Sequence, residues 1–161
     1  MKKVVVKGFI KLGLLAVIAV VGAGTSAKAQ SLESRLTANI PFDFTVSNKK
    51  LSAGEYWIGR ATQNNGDSVV RISSVDGHAT VSRLTNPVVT FTPNRQARLI
   101  FHRYGDEYFL FQIWPAGATD GRVLPKSRSE REVEIKTNDA IGRVGLKAPN
   151  VETVTILVNV Q

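Results

Sequence analysis

The segment from Leu99 to Ile113 restricts the fold more than any other, because it is apolar on both sides of a hairpin. Gly105-Asp106 sits at its centre and suits a two-residue turn with glycine first. A turn there pairs Phe101 with Leu110, Ile100 with Phe111 and His102 with Phe109. One face then carries Leu99, Phe101, Tyr108 and Leu110, and the other Ile100, Tyr104, Phe109, Phe111 and Ile113. A half-solvated strand pair would alternate apolar with polar residues. Here each face needs a cover: a second sheet, a helix, a ligand or another chain. The ordinary cover is the protein's own core. Should the chain leave one face bare, Ile100, Phe109, Phe111 and Ile113 are the candidate pocket or interface.

The surrounding sequence has the texture of an antiparallel β domain. From Thr37 to Ser47, Ile40, Phe42, Phe44 and Val46 alternate with polar residues, the period of a half-buried strand. Pro41 cannot donate to a ladder, so it marks an edge or an irregular start. Asn48 to Gly54 reads as a turn and Glu55 to Thr62 as the next strand. Asn65-Gly66 and Asp76-Gly77 suit hairpin loops with positive φ at both central residues. A two-residue loop at Asp76-Gly77 sets Ile72 opposite Val81 and Ser74 opposite Ala79. Val88 to Thr92 is a short strand, and Ala116 to Gly121 a loop. Lys126 to Lys136 is densely charged, with Ser127 or Ser129 as cap, and predicts a short surface helix. Pro149-Asn150 introduces a β-branched run from Val151 to Val160, with Val154, Ile156, Val158 and Val160 on one face. The expected fold is all-β, an antiparallel sandwich or small barrel of about eight or nine strands with one charged helix near the C-terminal third.

The first 29 residues have a different character. Lys2, Lys3, Lys7 and Lys11 precede an apolar run from Leu12 to Ala23, and small residues then close on Ala27-Lys28-Ala29. This is the pattern of a secretory signal peptide cleaved between Ala29 and Gln30. The apolar run falls short of the roughly 20 residues a spanning helix needs. Residues 30–161 then form a single domain, exported to the periplasm or beyond, with no transmembrane segment. The whole chain has a net charge of +8, but five of its 21 basic residues lie in the leader and all 13 acids lie after it. Sixteen bases against 13 acids leave +3, too little and too scattered for a nucleic-acid stripe. The chain has no cysteine, so neither disulfides nor a lipid-modified cysteine enter the design.

Signals for chemistry are sparse. The two histidines, His78 and His102, stand without a G-x-S-x-G elbow, and no H-x-H, H-E-x-x-H or calcium-loop spacing is present. His78 follows a turn, where a solvated residue is unremarkable, and His102 reads as a packed, hydrogen-bonded strand residue. No catalytic, cofactor or metal set is expected. Asp43, Glu55 and Asp106 could pair in space as glycosidase carboxylates, although nothing in the sequence singles them out. Tyr56, Trp57, Tyr104 and Trp114 could line a sugar- or peptide-binding surface. The partner is then a protein, a glycan or an apolar ligand. An enclosed apolar cavity would make the domain a carrier, and paired carboxylates would make it a glycan hydrolase.

Ala38-Asn-Ile-Pro-Phe-Asp-Phe-Thr-Val46 followed by Leu51-Ser-Ala-Gly-Glu-Tyr56 resembles a family of small exported bacterial proteins, frequent in acidobacteria, with an N-terminal NIPFxF…LPAGxY signature. The stretches Phe101 to Leu110 and Gly121 to Glu132 resemble its later segments, so the likeness spans most of the mature chain. Ser52 stands where that family usually has proline, which alters turn stiffness. The resemblance implies one exported β domain. It brings no activity or site residue with it.

Overall fold

The computed structural model describes residues 35–61, 68–143 and 151–160. The leader, the Ala29–Gln30 junction, the Asn65-Gly66 turn and Pro149-Asn150 lie outside them. Eleven strands and one helix make up the described residues: β1 Leu36–Ile40, β2 Phe44–Val46, β3 Lys49–Leu51, β4 Gly54–Arg60, β5 Val69–Ser74, β6 Thr80–Leu84, β7 Asn86–Val89, β8 Ala97–Tyr104, β9 Glu107–Trp114, β10 Asp120–Val123, α1 Arg128–Arg143 and β11 Glu152–Val160. The strands form two sheets facing each other, and the architecture is a sandwich rather than a closed barrel. One sheet holds β1, β4, β5 and β6. The other holds β2, β3 and β7 to β11. A short pairing of β1 with β11, Leu36 to Val160 and Thr37 to Asn159, joins them along one side. On the other side β3 and β6 meet through one side chain, Lys49 Nζ donating to the Thr80 carbonyl at 3.3 Å.

The expected strand from Thr37 to Ser47 is two strands. Its alternation is real, because Leu36, Ala38, Ile40, Phe44 and Val46 are all buried. The chain turns a corner at Pro41, however, and passes from one sheet to the other. Pro41 has no N–H to leave orphaned at such a corner. The expected turn from Asn48 to Gly54 contains β3. The tight reversal is Ser47-Asn48, with Ser47 at φ 62°. β7 begins at Asn86, earlier than the expected Val88, and pairs with β10, whose first two residues, Asp120 and Gly121, fall in the expected loop from Ala116 to Gly121. The single register contact of β2 with β9, Thr45 to Phe109, is parallel.

The hairpins expected at Asp76-Gly77 and Gly105-Asp106 keep their expected registers near the turn. Ile72 pairs with Val81, and the Ser74 N–H donates to the Ala79 carbonyl at 2.8 Å. Among the two turn residues there, Gly77 alone has positive φ, at 79°, so the expectation of a positive φ at Asp76 is not met. Asp76 instead accepts the His78 N–H at 3.0 Å. In the aromatic hairpin Phe101 pairs with Leu110 and His102 with Phe109, as expected. An irregularity then intervenes, and Ile100 pairs with Gln112 instead of Phe111. This bulge reverses the facing of every later β9 residue.

The space between the sheets is filled by Phe44, Phe101, Leu36, Ile40, Ile58, Ile72, Leu99 and Ile113, each with almost no solvent exposure. Aromatic edges organise the middle: Phe44 meets Tyr56 and Phe101 edge-on at 5.0 and 5.6 Å, and Phe42 meets Phe101 at 5.3 Å. Among the described residues no helix is long and apolar enough to cross a membrane.

Candidate functional site

The second face of the aromatic hairpin, the one turned away from the core, is the place to look for function. On β8 it carries Ile100, His102 and Tyr104, and on β9 it carries Phe109, Phe111, Gln112 and Trp114. Of the four residues expected to share an apolar face, Ile100, Phe109 and Phe111 lie here. Ile113 does not. The bulge turns Ile113 inward to pair with Leu99, and it is fully buried in the core.

Helix α1 covers much of this face. Its first turn follows the sequence signal closely: the Ser127 hydroxyl accepts the Glu130 N–H at 3.1 Å, which is an N-cap. The helix runs further than expected, to Arg143 rather than Lys136. A glutamate three residues after the cap would ordinarily reach back to the cap's own N–H. Glu130 turns instead towards the sheet, where its Oε1 lies 2.6 Å from His102 Nδ1 and accepts the Tyr104 hydroxyl at 3.4 Å. All three side chains are buried. The His102 ring stacks on Phe111 at 3.9 Å, and Tyr104 packs against Phe109 at 5.8 Å. A second pair closes the rim, with Lys126 Nζ 2.6 Å from Glu134 Oε1. From the other direction Ser129 Oγ donates to the Ser47 carbonyl at 3.1 Å, tying the helix start to the β2–β3 turn.

Burial raises the Tyr104 phenol above its ordinary range, and the Glu130 charge adds to the shift. Burial alone would lower the Lys126 ammonium. The hydrogen bonds to Glu134 and Tyr104 outweigh it, and the group ends above its usual value. The arrangement holds a helix against a sheet through buried polar bonds. Its acid and base groups point at one another, beneath the helix.

The other sequence candidates scatter. Tyr56, Tyr104 and Trp114 are buried, so they pack in and beside the core and do not line a binding surface. Trp57 is half-buried beneath the Arg35 guanidinium at 5.0 Å. His78 and Asp106 are exposed. Asp43 pairs with Lys50 at 3.5 Å in solvent. Glu55 and Asp76 do come to one shallow recess of about 290 Å³, with Ala53, Gly54, Tyr56, Ser74 and Val75. There the Ser74 hydroxyl and the His78 N–H hold the Asp76 carboxyl below its usual range. A glycosidase acid needs the opposite shift. Among the described residues no group of three or more His, Asp or Glu side chains is placed to hold a metal ion. The His102–Glu130 contact was invisible in the sequence because its partners are 28 residues apart on different elements. Comparison with family models, curated proteins and solved structures returns no match.

Proposed function

We propose that this protein is exported and acts in or beyond the periplasm as a binding or envelope-associated structural domain rather than as a catalyst. The observation that carries the reading is the placement of His102. It is the one histidine with acid and phenol partners, and it lies under α1, where Glu130 and Phe111 engage both its edge and its face. Substrate has no direct approach to it. The leader from Lys2 to Ala29 supports export, and the likeness to small exported bacterial proteins agrees with a leader followed by one β domain. A packed interior supports contact through the surface rather than carriage of a ligand between the sheets.

One preparation tests both halves. A C-terminally tagged copy is expressed in a bacterial host, the cells are fractionated, and the N-terminus is sequenced. The product is expected outside the cytoplasm, beginning at Gln30, with no turnover of envelope or environmental polysaccharides. An unprocessed cytoplasmic product would overturn export. Polysaccharide hydrolysis lost in Glu55→Gln or Asp76→Asn would replace the binding reading with the hydrolase.

A further inference from the structure

The strand registers sort the charges by position along the sandwich. Gly54, Ser74, Thr80, Tyr104, Glu107 and Glu152 define one end. Leu36, Arg60, Val69, Leu84, Ala97, Trp114 and Asp120 define the other. The first end carries Asp43, Glu55, Asp76, Asp106, Glu107 and Glu152, with Lys49, Lys50 and Arg103 set among them and two of these bases paired, Lys50 to Asp43 and Arg103 to Glu152. The second carries Arg83, Arg95 and Arg98, with Arg35 beside Leu36 adding to its charge. Of the carboxylates on strands and turns among the described residues, Asp120 alone lies at this second end. No acid occurs between His78 and Gly105 in the sequence.

The basic end is also where apolar side chains face water. Leu84 is 61% exposed, Val89 78%, and Phe91, at the tip between β7 and β8, is completely exposed. Val89 and Phe91 follow one another down β7 and off its end. Among the described residues Arg83 and Arg95 have no carboxylate partner. Arg98 lies over the Trp114 ring, 5.6 Å from its centroid. Phenylalanine and valine exposed at the same end as Arg83 and Arg95 fit a partner that takes both kinds of group.

We propose that this end docks on a bilayer containing anionic phospholipid, with Phe91 and Val89 entering the interface and the arginines meeting the headgroups. Apolar side chains and cations at one end match that surface in both respects, since the acyl boundary takes the former and the phosphates the latter. An acidic protein would satisfy the arginines but would leave a projecting phenylalanine needing a matching cavity. The inference deepens the envelope-associated reading and rests on it for the membrane's identity.

The test is cosedimentation of the full chain with vesicles of phosphatidylglycerol in phosphatidylcholine, and with phosphatidylcholine alone. The leader is common to every variant, so a difference between variants, and the local emission of Phe91→Trp, report this end of the domain and not the leader. Phe91→Ser should weaken binding to the anionic vesicles about tenfold, and Arg95→Gln about fivefold. Lys50→Gln, at the acidic end, should leave it unchanged, and added salt should reduce it. Phe91→Trp gives a local readout, taken as the difference from the parent chain. The emission of the added indole should shift blue with anionic vesicles and be quenched by lipids brominated in the acyl chain. Equal binding to both vesicle types, equal binding by Phe91→Ser, or an unmoved difference emission in Phe91→Trp each overturns the proposal. So does a chain that self-associates without lipid and loses that property in Phe91→Ser, because the surface is then a contact between copies. Failure of export shows in the fractionation and leaves the vesicle result standing.

Discussion

At the scale of single residues, two positions have consequences out of proportion to their size. Gly121, on β10, pairs with Val88 of β7 and faces Trp114, and a Cβ added there would stand 2.7 Å from two Trp114 ring carbons and 2.9 Å from the Ile113 carbonyl oxygen. The indole is buried and the carbonyl belongs to the backbone, so neither can give way freely. Gly121→Ala should therefore lower stability by about 1–3 kcal/mol, measured by urea unfolding. A cost within error of zero would mean that Trp114 can repack. Glu130 is the second position. Removing its carboxylate leaves the His102 ring nitrogen and the Tyr104 hydroxyl buried without their partner, and an orphaned buried polar group costs about 1–3 kcal/mol. Glu130→Ala should lose that amount, and Glu130→Gln less, because the amide oxygen still accepts. Equal losses for the two would assign the effect to packing.

Among the elements, α1 shows most clearly how local and distant information divide. Its N-terminus is written in Ser127 and the charged run that follows, and the structure places the cap there. What the helix covers was not legible, because that depends on Glu130 meeting His102 across the fold. The aromatic hairpin divides in the same way. Gly105-Asp106 sets the pairing of Phe101 with Leu110 from local turn geometry, but the bulge beyond Phe101 is a response to packing. A bulge changes parity, so one extra residue moved Ile113 from the candidate face into the core. β10 was missed because four residues with a glycine and two charges carry almost no period. The helix–sheet joint also has a testable pH dependence. Tyr104 and Lys126 are both raised above ordinary values of 10.0 and 10.5. Their contribution is then full below those values and is lost as pH rises through the shifted ones. Stability should hold to about pH 10 and fall beyond it. Tyr104→Phe should flatten part of that fall in alkaline urea titrations. An unchanged alkaline limb would show that the phenol does not report on the joint.

Across the whole molecule, the two sheets share one core. Phe44, Val46, Leu99, Phe101 and Ile113 from one side and Leu36, Ile40, Ile58, Val70 and Ile72 from the other form a single continuous cluster. β1 and β11 stitch the sheets together at Leu36–Val160 and Thr37–Asn159, a contact between opposite ends of the described chain. Neither sheet can keep its inner face dry without the other, and no disulfide holds a partly opened state together. Unfolding should accordingly be one cooperative transition, with the near-ultraviolet signal of the buried aromatics and the far-ultraviolet signal of the strands moving at the same urea concentration. Leu36→Ala tests the stitch itself. Leu36 is fully buried and pairs with both Ile58 on β4 and Val160 on β11, so its truncation should cost about 2–5 kcal/mol. The loss should shift both signals together. A far-ultraviolet transition that stays in place while the aromatic signal moves would mean that the sheets unfold independently. In that case the charge asymmetry between the ends would belong to two separate surfaces rather than to one oriented body.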